Sequence, residues 1–162
     1  ALLATTSDTQ EFMKHPVTRQ ASPAIQAASP WCGPTDFLKL NDVKCDQDYS
    51  SKRSAPSRLI GQPINEAPEK CKQANPITYV SKGDPPCFIV HGDKDFVVPL
   101  NQSELLHAAL VKAGVPSTLY VAEGGNHGFS KGEETQEEIV EKVADFFDSQ
   151  FKKDARNTKE GS

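Results

Sequence analysis

The sequence predicts an α/β fold built on parallel strands, and three observations carry that expectation. Cys87-Phe88-Ile89-Val90 is a continuous apolar run, the pattern of a strand covered on both faces. An amphipathic helix follows it, then a second strand, then a second amphipathic helix. Strand, helix, strand, helix with short links is the pattern of parallel pairing by crossover.

The elements follow in order. Residues 1–6 read as the end of a small-residue helix, with no Ser, Asp or Asn to cap its start. Residues 25–29 are a short strand candidate ended by Pro30, which makes about three strands in all. Residues 41–82 are polar and irregular, a cap-like segment with one short helix from Pro68 to about Gln73. Proline suits the first position of such a helix, where its missing N–H costs nothing. After the strand at 87–91, residues 101–113 place Leu105, Leu106, Ala109, Leu110 and Ala113 on one side of a helix. Asn101 is the expected cap, Glu104 its capping-box partner, Leu100 a staple onto Leu105, and Gly114 the stop. Residues 117–122 form the next strand. Thr135-x-x-Glu138 opens the last helix, with Ile139, Val140, Val143, Phe146 and Phe147 as its buried stripe. Residues 152–162 are a polar tail expected to fray.

Composition narrows the function classes. The 162 residues carry 18 Lys+Arg against 22 Asp+Glu, a formal charge of −4, and 36 % hydrophobic residues. Mean hydropathy is −0.54, and no apolar run approaches the roughly 20 residues needed to cross a bilayer. A pI of about 5.6 argues against a nucleic-acid binder, which would carry a basic face. The four cysteines, Cys32, Cys45, Cys71 and Cys87, contain no C-x-x-C pair, so no structural zinc site is expected. Cys45 and Cys71 flank a polar, proline-bearing stretch that a disulfide would constrain. Cys32 and Cys87 adjoin apolar segments and read as buried thiols.

In parallel sheets, functional residues collect in loops at the carboxyl ends of strands. That rule selects His91-Gly92-Asp93-Lys94-Asp95-Phe96-Val97-Val98-Pro99 and Glu123-Gly124-Gly125-Asn126-His127-Gly128-Phe129. An acid after one strand and a His after the next suit a pair in which the carboxylate holds the imidazole tautomer and stabilises the imidazolium. On spacing alone a plainer reading stands beside it, with Asp95 capping a turn and His127 an ordinary loop residue. His91, at the end of its strand, is expected to support the acid loop. His107 on its helix and His15 in a polar loop read as surface residues.

The segment 75–99 resembles the C-terminal half of α/β-hydrolase esterases, above all the lipase and carboxylesterase group with feruloyl- and acetylxylan-esterase-like members. Gly33-Pro34-Thr35-Asp36, Arg58-Leu59-Ile60-Gly61 and Gly124-Gly125-Asn126-His127-Gly128-Phe129 match the same pattern in the same order. The resemblance covers residues 1–151 and implies the C-terminal portion of an α/β-hydrolase domain. It implies that Asp95 is the triad acid and His127 the triad base. Asp93 is the near competitor, but in the family pattern the acid is the residue just before x-x-V-P.

The nucleophile of that family is a Ser in G-x-S-x-G, ahead of the acid and the His in chain order. No such elbow precedes Asp95. Residues 1–6 resemble the tail of the helix that follows the elbow, so the nucleophile and the oxyanion loop are expected upstream of Ala1. Gly128-Phe129-Ser130-Lys131-Gly132 fits the elbow pattern literally. It follows the His, no strand leads into it, and its neighbours are bulky, so Ser130 is set aside.

The expected function is therefore serine carboxylic ester hydrolysis, with this chain supplying acid and base and inactive alone. A serine peptidase of the prolyl-oligopeptidase type and a catalytically silent interaction module are the alternatives. Trp31, beside Pro30, is a candidate for lining the acyl or alcohol pocket, with a place in the core as its alternative. No metal or organic cofactor is implied. The expected partners are a small-molecule or glycan-linked ester and either a second copy or the chain's own N-terminal half, with neither nucleic acid nor membrane. An extracytoplasmic home is favoured over a cytoplasmic one.

Overall fold

The structure, a computed structural model, describes residues 1–6, 25–43 and 46–160, with side chains through Lys152. Its centre is a parallel pair of strands, β1 (Cys87–Gly92) and β2 (Ser117–Ala122), in register from Cys87 opposite Ser117 to Gly92 opposite Ala122. Alternation along β1 sends Cys87 and Ile89 to one face and Val90 to the other. Helix α4 (Asn101–Lys112) covers the first face through Leu106 and Leu110, with Val115 beside them. Helix α5 (Gln136–Glu160) covers the second through Ile139 and Val143, against Val90, Ala122 and Phe129. Phe88, Tyr120, Phe146, Phe147 and Phe151 continue that face as a chain of ring contacts, with centroids 5.4–6.1 Å apart.

The third strand expected at 25–29 lies further along the chain and is interrupted. Ala28 bridges Cys87 and Trp31 bridges Val90, both parallel, so residues 28–32 run beside β1. The rungs are Ala28 N–H to Pro86 O, Phe88 N–H to Ala28 O, Val90 N–H to Pro30 O and Cys32 N–H to Val90 O. One rung is missing because Pro30 has no N–H for the Phe88 carbonyl. The Ser29 hydroxyl fills the gap, donating to Phe88 O at 2.8 Å, and itself accepts from Trp31 Nε1–H at 2.9 Å. A proline breaks the ladder and the preceding serine repairs it.

Other expectations need correction. Residues 41–82 are not merely irregular. They hold α2 (Ala55–Ile60), α3 (Pro68–Ala74) and 3₁₀ turns at Ile64–Glu66 and Pro76–Tyr79, around a small core of Phe37, Leu40, Tyr49, Ile64, Cys71 and Val98. Helix α2 is well specified locally: Ser54 Oγ accepts from Ser57 N–H, Pro56 sits in the first turn, and Gly61 ends it at φ +84°. The expected Cys45–Cys71 bridge is replaced at Cys71 by a free, buried thiol 3.5 Å from the Ile64 carbonyl; Cys45 lies outside the described residues.

Asn101 does not cap α4. It lies inside the helix and its amide reaches across to Lys39 O at 3.1 Å, while Leu100 occupies the cap position without a side-chain bond. The capping box of α5 forms as expected: Glu138 Oε2 accepts from Thr135 N–H at 2.8 Å, and Thr135 Oγ1 accepts from Glu138 N–H. Val140 is half exposed and leaves the buried stripe. The helix continues to Glu160, through most of the expected frayed tail. At the other end, the helical reading of residues 1–6 holds as α1 (Leu2–Thr5), with Ala4 and Thr5 buried.

Candidate active site

Both selected loops leave the carboxyl ends of the parallel strands side by side, and backbone bonds tie them together. Asp93 N–H donates to Ala122 O at 3.2 Å, and Lys94 N–H to Gly125 O at 2.9 Å. Gly92 and Gly125 pack backbone against backbone, and a Cβ on Gly92 would overlap the Gly125 carbonyl. Glycine is required there by close approach.

This stitching sets Asp95 opposite His127. Asp95 Oδ2 accepts from His127 Nδ1–H at 2.8 Å. Its Oδ1 accepts from the N–H groups of Val97 and Val98 at 2.8 and 2.9 Å, which folds the loop tightly around the carboxylate. The Asp95 carboxylate is fully buried, whereas the His127 side chain is 44 % exposed. With Nδ1 donating, Nε2 is the open acceptor, and among the described residues nothing bonds to it. Burial pushes the Asp95 carboxyl up. The donors His91, Val98, His127 and Val97 outweigh that and hold it well below the usual carboxylate range. Asp93, the competitor, pairs with Lys94 at 3.1 Å and makes no bond to His127.

His91 is wholly buried beneath this pair. Its Nε2 lies 2.9 Å from Val98 O, and a carbonyl only accepts, so Nε2 carries the proton. Nδ1 then accepts from Ser103 Oγ–H at 2.7 Å. Ser103 and Gln102 are buried polar residues of α4 that the apolar stripe did not reveal, although both lie one turn before Leu106 on its face. Gln102 Oε1 accepts from the N–H groups of Thr35 and Asp36 and so anchors the segment after Trp31. His107, half buried, has Nδ1 3.0 Å from Ser117 Oγ and joins α4 to the start of β2. His15 lies outside the described residues.

Cys32, His91 and Asp95 place donor atoms within 4.8 Å of one another. The cluster is hydrogen-bonded in character: both His91 nitrogens are engaged, and burial foremost pushes the Cys32 thiol up to about 12. Cys32 also adopts φ +45°, a left-handed conformation rare for a residue with a side chain.

A cavity of about 380 Å³ opens beside His127, with Trp31, Leu40, Tyr49, Pro56 and Val97 among its walls. Trp31 is half buried and meets Phe129 edge-on at 5.4 Å. It packs on the core with one side and lines this cavity with the other. Ser130 is exposed and bonded to Asn126, and no bond links it to His127.

The Asp95–His127 pair and its cavity have counterparts to look for among known proteins. A family model described as BD-FAE matches residues 1–110, more than half of the chain. This chain belongs to that family. A second model, the dienelactone hydrolase family, matches residues 68–154, and the fold is that of an α/β-hydrolase esterase. The esterase LipQ of Mycobacterium tuberculosis is 31 % identical over 134 residues, which cover 81 % of this chain and 31 % of LipQ. A truncated form of a carbohydrate esterase from gut microbiota superposes with a TM-score of 0.69 at 31 % identity, covering 81 % of this chain and 44 % of that one. The acylaminoacyl peptidase of Pyrococcus horikoshii, at 19 % identity and a TM-score of 0.61 over 81 % of this chain and 21 % of its own, shares the fold. The chain thus spans about a third of the length of LipQ and under half of that carbohydrate esterase. Among the described residues no helix is long and apolar enough to cross a membrane.

Proposed function

We propose that this chain supplies the acid and base of a serine carboxylic ester hydrolase, with Asp95 and His127 in those roles. The carrying observation is the 2.8 Å bond from His127 Nδ1–H to buried Asp95, which leaves Nε2 open beside an apolar cavity. A Ser hydroxyl from sequence outside these 162 residues would give its proton to Nε2 while attacking the ester carbonyl. His127 would then protonate the leaving alcohol. Asp95 holds the tautomer and stabilises the imidazolium without taking the proton. Backbone donors for the oxyanion also lie outside this chain in the proposal.

The cavity takes the acyl or alcohol group, with Trp31 as one wall. Glycan-linked esters enter the reading through the likeness to a carbohydrate esterase. An extracytoplasmic location stays part of the proposal.

The test is hydrolysis of simple aryl esters together with labelling by a fluorophosphonate. The chain alone should turn over no faster than its His127→Ala variant and should not be labelled. A longer polypeptide that includes it should be active, and His127→Ala should abolish that activity. Turnover by the chain alone that Ser130→Ala removes would refute the assignment.

A further inference from the structure

His91 has a relationship to the acid that its burial alone does not explain. His91 Nε2, whose N–H donates to Val98 O at 2.9 Å, also lies 3.4 Å from Asp95 Oδ2. That oxygen is the one that accepts from His127 at 2.8 Å. Oδ2 is therefore held between two imidazoles, one buried and one exposed. The buried ring cannot turn away. Ser103 Oγ–H holds Nδ1 from α4, and the Val98 carbonyl holds Nε2 from the acid loop.

We propose that His91 is a positioning residue: its Nε2–H shares Asp95 Oδ2 with His127, fixing the aim of the carboxylate and setting the strength of the His127 bond. A hydrogen bond to an anion draws charge from it, and bonded groups polarise one another in a buried network. Charge that Oδ2 gives to His91 is charge it does not give to His127. The chain Ser103, His91, Asp95, His127 runs from the middle of the fold to the open nitrogen, so packing at α4 is felt at the base. The inference deepens the reading of His127 as the base, but its readout is a hydrogen bond and not turnover, so the two fail separately.

The test is proton and nitrogen NMR of the imidazoles in the unaltered protein, His91→Gln and His91→Met. Gln places an amide N–H near the position of His Nε2–H, whereas Met offers no donor. The His127 Nδ1–H resonance should shift or vanish in His91→Met and return to its original position in His91→Gln. The His107 signals should stay unmoved and report that the fold persists. A folded His91→Met with His127 unmoved overturns the proposal, and so does a folded His91→Gln that fails to restore the signal. Should His91→Met not fold, the unaltered protein and Asp95→Asn decide: His91 must carry its proton on Nε2 in the first, and its signal must move in the second. A proton on Nδ1, or an unmoved signal, overturns the proposal.

Discussion

A side chain on Gly92 would occupy the space of the Gly125 carbonyl. These two glycines let the end of β1 and the loop after β2 touch, and Lys94 N–H completes the contact at Gly125 O. Asp95 and His127 are 32 positions apart in sequence, and their 2.8 Å bond depends on this approach. Gly92→Ala should therefore separate the pair. The obstructing atoms are backbone, so no rotamer relieves the overlap, and overpacking of this kind costs about 1–3 kcal/mol. Denaturant unfolding measures the stability loss, and the His127 Nδ1–H resonance reports the pair. An unchanged midpoint and resonance would show that the loops can slide apart freely.

Asp95 predicts a pH dependence of stability. Its carboxyl lies below the ordinary Asp value, near 3.9 in an unfolded chain. The unfolded state therefore binds the proton first as pH falls. The carboxylate's contribution is complete well above pH 4 and is lost as pH drops through the depressed native value. Asp95→Asn should lower stability at pH 7 and remove part of the acid-induced loss. Unfolding curves at pH 7 and pH 3 test the sign. An equal loss on acidification in both proteins would rule out Asp95 as a source of the dependence.

The two loops that bring Asp95 and His127 together were legible because the parallel-sheet rule points at strand ends, and both strands are continuous in the sequence. The x-x-Val-Pro pattern separated Asp95 from Asp93, and the structure shows why: the Val97 and Val98 N–H groups are the ones that hold Oδ1. Of the supporting groups, His91 was legible from its place at the end of its strand, and the residues of α4 were not. Ser103 and Gln102 drew no notice in the sequence, because burial of a polar residue depends on a distant partner, His91 for one and the segment after Trp31 for the other. The shift of the third strand from 25–29 to 28–32 has the same origin. Ser29 repairs the rung Pro30 cannot make, a compensation visible only once β1 lies alongside. The small core on which residues 41–82 pack was missed because its apolar residues are scattered singly among turns, without a period to reveal them.

The thiols should be slow to react. Burial, foremost, pushes Cys32 up to about 12 and Cys87 up to about 11, and Cys71 is raised as well. The thiolate is the reactive form, so these three should resist iodoacetamide at pH 8 in the native protein and react together on unfolding. Peptide mass mapping after timed alkylation resolves each site. Rapid native labelling of Cys32 would mean that the packing beneath Asp95 and His127 opens readily.

The edge beyond residues 28–32 predicts association. In a parallel ladder, alternate residues turn their N–H and C=O to opposite sides. Ala28 and Cys32 face β1, so Ser29 and Trp31 turn their backbone groups outward, where no bond meets them among the described residues. Such an edge is a template for another strand. The segment offers little defence: it has no Lys, and Pro30 points its missing N–H inward. We propose that this edge pairs with a second copy or with the chain's own N-terminal half. Sedimentation velocity of the purified chain over a concentration series should show a concentration-dependent shift to larger species. Replacing Ser29 by Pro is the wrong test, because it also removes the hydroxyl that repairs β1. Trp31→Pro instead removes the outward N–H without touching a β1 rung, and it should push the distribution toward monomer. A monomer at every concentration, unfolding cooperatively with this edge in solvent, would refute the association.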